Sequence, residues 1–249
     1  MVTVRNDLEL ALDRVSFAER LGIEPDPWQE DLLLSSSDRI LMNVARQCGK
    51  SLVAAVVALH RALYHSGSLI LILAPSERQA KETFTKVTEL YRKMGHTIPP
   101  DSLRKLGVHL TNGSRIEALP GTEKTIRGFS GAALLIVDEA SRVDDALYYA
   151  VRPMLAVSGG ALMMLSTPFG RRGVFFQEWT DGHNWRRYEV PANQCPRISQ
   201  TFLEEEHRAL GDWWFKQEYM CSFEDTPDQL FSHEVIEAMI TDEVEPLRF

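Results

Sequence analysis

Residues 39–65 read RILMNVARQCGKSLVAAVVALHRALYH. An apolar run with the length and character of a β-strand, Arg39–Val44, passes into the short polar loop ARQCGK. A long stretch of helix formers follows over residues 50–65 and is stopped by Gly67. A buried strand that turns through a glycine directly into a helix is the βα unit of an open α/β sheet, and the rest of the chain repeats that alternation.

Downstream, LILILA over residues 69–74 is a second strand, closed by Pro75. Ser76 has the side chain and position of an N-cap for a helix reaching about Lys93. Residues 108–110 and 115–119 flank Thr111-Asn112-Gly113-Ser114, a hairpin signal. Residues 134–137 form an apolar strand ending in Asp138-Glu139, and residues 161–165 form another ending in Ser166-Thr167-Pro168. Continuous rather than alternating apolar character implies burial on both faces, hence a mostly parallel central sheet flanked by helices. Residues 1–36 read as a helical lead-in and residues 37–231 as the core. Residues 199–220 read as a helix whose aromatics, Trp213, Trp214, Phe215 and Tyr219, serve packing.

The 249 residues carry a net charge of −8, with 44% hydrophobic and 25% charged residues. That composition excludes a disordered chain and argues against a uniformly basic nucleic-acid-binding surface. A local basic patch remains open, with Arg171, Arg172, Arg186 and Arg187 as its candidates, or these are ordinary surface arginines. The three cysteines, Cys48, Cys195 and Cys221, form neither a disulfide framework nor a paired metal motif. No apolar run reaches the roughly 18 residues of a membrane span. The N-terminal stretch MVTVRNDLELALDR has no signal-peptide core, so an intracellular protein without membrane association is expected.

The chemistry concentrates in two places. Ala45-Arg46-Gln47-Cys48-Gly49-Lys50-Ser51 ends in GKS between strand and helix, the setting of a P-loop. Backbone N–H groups from Arg46, Gln47, Cys48 and Gly49, together with the helix N-terminus, form a concave anion site that needs nothing from the Cys48 thiol. Lys50 is placed to reach the β- and γ-phosphates of ATP, and the Ser51 hydroxyl to bind Mg²⁺. One position departs from the usual pattern: Val44 stands where its first glycine belongs. The second place is the strand ending in Asp138-Glu139. Ligands in such sheets sit beyond the carboxyl ends of the strands, so Asp138 is expected to hold Mg²⁺, directly or through water, and Glu139 to deprotonate the attacking water. The fold class expected is that of an α/β P-loop NTPase of the ASCE/RecA-like kind.

The loop ARQCGKS resembles the variant Walker A of the large terminase subunit, the DNA-packaging ATPase of tailed bacteriophages and herpesviruses, in which the first glycine is often replaced and an arginine stands at the place of Arg46. Pro27-Trp28-Gln29 resembles that family's adenine-side motif, and Ser166-Thr167-Pro168 with Gly170 and Gly173 its coupling motif. Trp214-Phe215-Lys216-Gln217-Glu218-Tyr219-Met220-Cys221 resembles the end of its ATPase region. The resemblance implies ATP hydrolysis coupled to translocation of double-stranded DNA into a procapsid. It also implies a homo-oligomeric ring, portal protein and small terminase subunit as partners, and the host cytoplasm as location. It implies an adenine contact from Gln29 and γ-phosphate sensing by Ser166-Thr167-Pro168. Two arginines are candidates for stabilising transition-state charge: Arg46 in cis, and Arg127, in Thr125-Ile126-Arg127-Gly128, from a neighbouring subunit. Residues 232–249 are expected to lead toward a C-terminal nuclease domain for which these residues are too few. The alternatives are the ATPase domain of a superfamily-2-like helicase, whose motifs Asp138-Glu139-Ala140 and Ala74-Pro75-Ser76 also resemble, and a nucleotide-binding regulatory module.

Overall fold

The structure, a computed structural model, describes residues 2–95, 97–120, 128–225, 235 and 238–239, with side chains from residue 7 onward. Three short helices lead in: α1 (Val2–Leu12), α2 (Arg14–Arg20) and α3 (Pro27–Leu34). Then come β1 (Arg39–Val44), α4 (Lys50–Tyr64), β2 (Leu69–Ala74), α5 (Glu77–Lys93), β3 (Pro100–Arg104), β4 (Gly107–Leu110), β5 (Arg115–Pro120) and β6 (Leu134–Asp138). The remaining elements are α6 (Asp145–Val151), β7 (Ala161–Ser166), α7 (Gly173–Thr180), β8 (Arg186–Val190) and α8 (Gln200–Tyr219).

The strands form an eight-stranded sheet in the order β3-β4-β5-β2-β6-β7-β1-β8. From β5 to β8 neighbouring strands pair in parallel, and β3 and β4 add an antiparallel edge. The apolar runs are continuous because alternate residues supply two cores. Ile40, Met42, Ile72, Ile136 and Leu165 face α4, α5 and the lead-in. Leu41, Leu71, Leu135, Val137 and Met164 face α6 and α7 around Tyr148 and Phe175. Burying such a side chain contributes about 2 kcal/mol relative to leaving it exposed, so both layers are held by the sheet that separates them. Among the described residues, no helix is long and apolar enough to cross a membrane.

The strands and helices expected from periodicity lie where expected, and the Ser76 hydroxyl accepts from Gln79 N as an N-cap should. Two strands were missed. β3 is an exposed edge with a polar sequence, and β8 carries Arg186 and Arg187 with only Tyr188 and Val190 buried. Both arginines, though exposed, have partners within the chain. Arg186 makes a bidentate pair with Asp31 at 2.6 and 2.7 Å. Arg187 donates to the Glu178 and Trp179 carbonyls, capping the end of α7. Arg171 donates to Phe223 O, and Arg172 lies over the Phe169 ring. The tail helix breaks at Gly211, whose φ of 74° and ψ of 169° are not helical. Phe215 and Tyr219 stack at 5.5 Å as packing residues, but Trp214 is 46% exposed.

Candidate nucleotide site

β1 and β6 carry the two halves of the site, and β7 lies hydrogen-bonded between them. In a parallel sheet this brings three carboxyl ends into one row: the loop after Val44, Asp138-Glu139, and Ser166-Thr167-Pro168. β2, next in sequence after β1, lies on the far side of β6, so the chain reverses its winding here and opens the crevice in which such sheets bind ligands.

The start of the loop is tied down by two backbone bonds. Ala45 N donates to Val190 O at 3.0 Å, and Arg46 N to Glu218 O at 3.4 Å. Gln47 and Gly49 both take positive φ, 63° and 86°, which curls the backbone into a cradle and starts α4 at Lys50. The φ of Gly49 favours glycine, and a Cβ there would stand 2.5 Å from Gln29 Nε2 and displace that amide. Val44 is fully buried in the core facing α4. The position of the missing glycine is therefore the last residue of a strand, and the turn is made by Gln47 and Gly49. Cys48 is fully buried, and burial first, then the neighbouring Cys195, pushes its thiol up to about 12. It stays a neutral packing group.

Lys50, Ser51, Asp138 and Glu139 share a cavity of about 340 Å³ with Arg46, Gln47 and Gly49. Asp138 is buried; Thr83 Oγ1 donates to its Oδ2 at 2.5 Å and Glu139 N to its Oδ1 at 2.9 Å. Glu139 takes a left-handed backbone, φ 52°, unusual for a non-glycine residue and characteristic of groups aimed by their surroundings. Its Oε1 lies 3.8 Å from Lys50 Nζ and its Oε2 accepts from Arg142 at 3.4 Å.

Arg142 and Glu218 complete the charge network around Glu139 and were not singled out from the sequence. Arg142 reaches Glu139, the Thr167 hydroxyl at 3.5 Å and Glu218 Oε1 at 3.5 Å, with its guanidinium 4.5 Å from the Phe169 ring centre. Glu218, its side chain 11% exposed, holds Arg46 on its other oxygen, and this contact raises the Arg46 pKa. Lys50, Glu139, Arg142, Glu218 and Arg46 thus form one alternating chain of charge around the cavity. Arg142 had a local signal, three residues after Glu139 and one turn on. Glu218 had none beyond its place in WFKQEYMC. The outer wall comes from α5, where Arg78, Gln79, Glu82, Thr83 and Lys86 line the cavity.

Ser166 and Thr167 are fully buried or nearly so. Ser141 bonds both of them, its hydroxyl sharing a hydrogen bond with Ser166 Oγ at 2.7 Å and donating to Thr167 O at 2.8 Å. The turn after β7 is thereby fastened to the segment carrying Glu139 and Arg142; Pro168 is buried behind it. Gln29 is buried at the start of α3. Its Oε1 accepts from Asp26 N at 3.0 Å, completing a capping box, and its Nε2 lies 3.5 Å from Gly49 O. It braces the loop from behind. Arg127 lies outside the described residues.

Residues 41–238 match the family "Terminase large subunit, T4likevirus-type, N-terminal". The chain belongs to that family. Among curated proteins it is 28% identical to the terminase large subunit of Thermus phage G20c, over 87% of this chain and 52% of the relative. It is 25% identical to that of Escherichia phage T5, over 76% and 44%. The chain therefore spans about half the length of the curated relatives it matches. In structure, it aligns with the large terminase ATPase domain of Thermus phage P74-26 at a TM-score of 0.73 and 23% identity, covering 83% of this chain and 97% of the other. It also aligns with the large terminase of a thermophilic bacteriophage in complex with ATP-γ-S at 0.61 and 13%, covering 82% and 51%. These alignments establish a terminase ATPase fold of the P-loop, RecA-like class. Val44, which breaks the general P-loop pattern, belongs to the strand, and the loop turns later, at Gln47 and Gly49.

Proposed function

We propose that this chain is the ATPase part of a packaging motor, hydrolysing ATP to drive double-stranded DNA into a procapsid. The observation that carries this reading is Glu139. A carboxylate on a left-handed backbone shares the cavity with the GKS loop, and Arg142 links it directly to Thr167. The loop amides and Lys50 bind the phosphates. Glu139 takes a proton from the water that attacks the γ-phosphorus, the bond to the β-phosphate oxygen breaks, and ADP and phosphate leave.

Mg²⁺ fits the donors present. It commonly keeps several waters and takes one or two protein oxygens besides the phosphates, and Asp138 with the Ser51 hydroxyl supplies such a set. When bound, it neutralises charge on the β- and γ-phosphate oxygens. Asp138 is pre-oriented for that duty by Thr83 and the Glu139 amide.

Arg46 lies in the loop and pairs with Glu218, so a γ-phosphate competes with Glu218 for the same guanidinium. Loss of the Arg46–Glu218 contact would release α8 at its last turn, and loss of the Arg142–Glu139 contact would be felt at Thr167. This gives the coupling role proposed for Ser166-Thr167-Pro168 a physical route. Gln29 is proposed to sense the adenine side through α3. Arg127 is proposed to complete the site of a neighbouring copy in a ring docked on portal protein, with the small terminase subunit as a further partner. The host cytoplasm is the compartment this implies. Residues 1–36 are proposed as lead-in, 37–231 as the ATPase core and 232–249 as the connection toward a nuclease domain.

The reading predicts ATP turnover that rises on adding double-stranded DNA, measured as phosphate release. Turnover absent under all assembly conditions, or unaffected by DNA in the full packaging assembly, contradicts it. For Arg127, mixing Arg127→Ala with Glu139→Ala protein restores turnover, because some interfaces regain one intact site. Mixtures as inactive as the separate variants, at concentrations where rings form, remove the role in trans.

A further inference from the structure

A second cavity, of about 300 Å³, lies at the opposite end of the sheet. It is formed by the amino ends of β1, β6 and β7, the last turn of α4, the start of α2 and the Ser35-Ser36-Ser37 turn. Lys50 and Arg61 are eleven residues apart on α4, about 16 Å along the helix axis, so one helix spans both cavities.

Two guanidinium groups, of Arg14 and Arg61, bring positive charge to the cavity. His65 lines it with them, as does His60, whose Nε2 lies 3.1 Å from Leu10 O. Arg61 Nε is shut off from solvent and has no hydrogen-bond partner, and Arg61 makes no ion pair among the described residues. Burying part of a guanidinium without a partner costs free energy that no contact among the described residues recovers. Arg14 donates to Ser35 O and pairs with no carboxylate among the described residues. Asp38 lies at the rim, exposed, and makes no ion pair with either arginine. Arg14 and Arg61 repel one another: burial and then Arg61 lower the Arg14 pKa, and burial followed by Arg14 depresses His60 to about 4, which keeps its imidazole neutral.

The ordinary use for cations at a helix C-terminus is to satisfy its last carbonyls. Here other groups already do this. Asn112 donates to the Ala62 and Leu63 carbonyls, at 2.9 and 3.3 Å, and Ser68 and Ser114 donate to His65 O at 2.6 and 3.1 Å. His65 N donates to the Arg61 carbonyl at 3.1 Å. The side chains of Arg61 and His65 are therefore free of capping and remain as lining of the cavity.

We propose that this cavity is an oxyanion site that takes a phosphate group, separate from the P-loop and joined to it by α4. Two guanidinium groups with the His65 imidazole beside them suit a tetrahedral anion carrying more than one negative charge better than they suit a single carboxylate. Ser36 lines the same cavity, and its hydroxyl makes no hydrogen bond within the described residues. A phosphate here removes the repulsion between Arg14 and Arg61 and anchors the C-terminal end of the helix whose N-terminal end holds the P-loop lysine. The phosphate is either free inorganic phosphate or a backbone phosphate of nucleic acid.

The two sources separate by titration. The imidazole resonances of His60 and His65 are followed by NMR while inorganic phosphate is added in one arm and a short DNA duplex in the other. The same titration on Lys50→Ala, in which phosphate binding at the P-loop is weakened, separates a shift arising at this cavity from one relayed along α4. A saturable shift with phosphate identifies the free anion, and one with the duplex alone identifies the nucleic-acid backbone. Arg61→Gln is expected to weaken whichever is seen by about tenfold or more, and Arg14→Gln to weaken it in the same sense. Arg14→Gln also serves if Arg61→Gln does not fold. No saturable shift from either titrant, or an affinity unchanged in the folded variants, overturns the proposal.

Discussion

Glu139→Gln lowers ATP hydrolysis by about 10²- to 10⁴-fold, the usual contribution of a positioned general base, and leaves nucleotide binding in place. Glutamine keeps the size and the left-handed backbone context of Glu139, and its amide oxygen still accepts from Arg142. What is lost is the capacity to take a proton from water. The pairing with Lys50 at 3.8 Å is also lost as a charge pair, which frees Lys50 for phosphate and works against any fall in affinity. Single-turnover hydrolysis beside equilibrium binding of a non-hydrolysable ATP analogue separates the two effects. A variant that hydrolyses at the wild-type rate removes Glu139 from the mechanism, and one that no longer binds nucleotide makes it a structural residue.

Lys50→Ala is expected to weaken nucleotide binding and to lower turnover by about 10²- to 10³-fold, as removal of a charge aimed at transition-state oxygens does. Lys50 is the first residue of α4, 8% exposed, with its ammonium turned into the cavity toward Glu139. Alanine is the better helix former, and helicity by circular dichroism is expected to match the wild type. The loss is then assignable to the missing charge. Retained affinity for ATP would show that the loop amides hold the phosphates without it. Unlike Glu139→Gln, this variant keeps the carboxylate and leaves it held by Arg142.

Much of this site was legible because its parts are short and local. The GKS loop, the acid pair ending β6 and Ser166-Thr167-Pro168 are each contained in a few residues at a strand end, where periodicity breaks and polar groups appear. β3 and β8 were illegible for the converse reason. An edge strand with one face in water need not be apolar, and Arg186 and Arg187 read as loose surface charge until Asp31 and the end of α7 were brought beside them. The helix break at Gly211 was likewise a single residue inside a helical pattern.

Sequence alone determined the βα unit around Gly49, the apolar strands that build the sheet, and the Lys50, Ser51, Asp138 and Glu139 set, because helix caps, strand periods and turn chemistry act over a few residues. Tertiary structure alone decided three other things. It inserted β7 between β1 and β6, and so set Thr167 within reach of the Arg142 that holds Glu139. It closed the charge chain from Lys50 to Arg46 through Arg142 and Glu218, the last two residues coming from positions 76 apart in the chain. It gathered Arg14, Arg61, His60 and His65 around a cavity that no run of residues announces. Each of these depends on where distant segments cross the sheet, and a charge has a partner, or lacks one, only once that crossing is made.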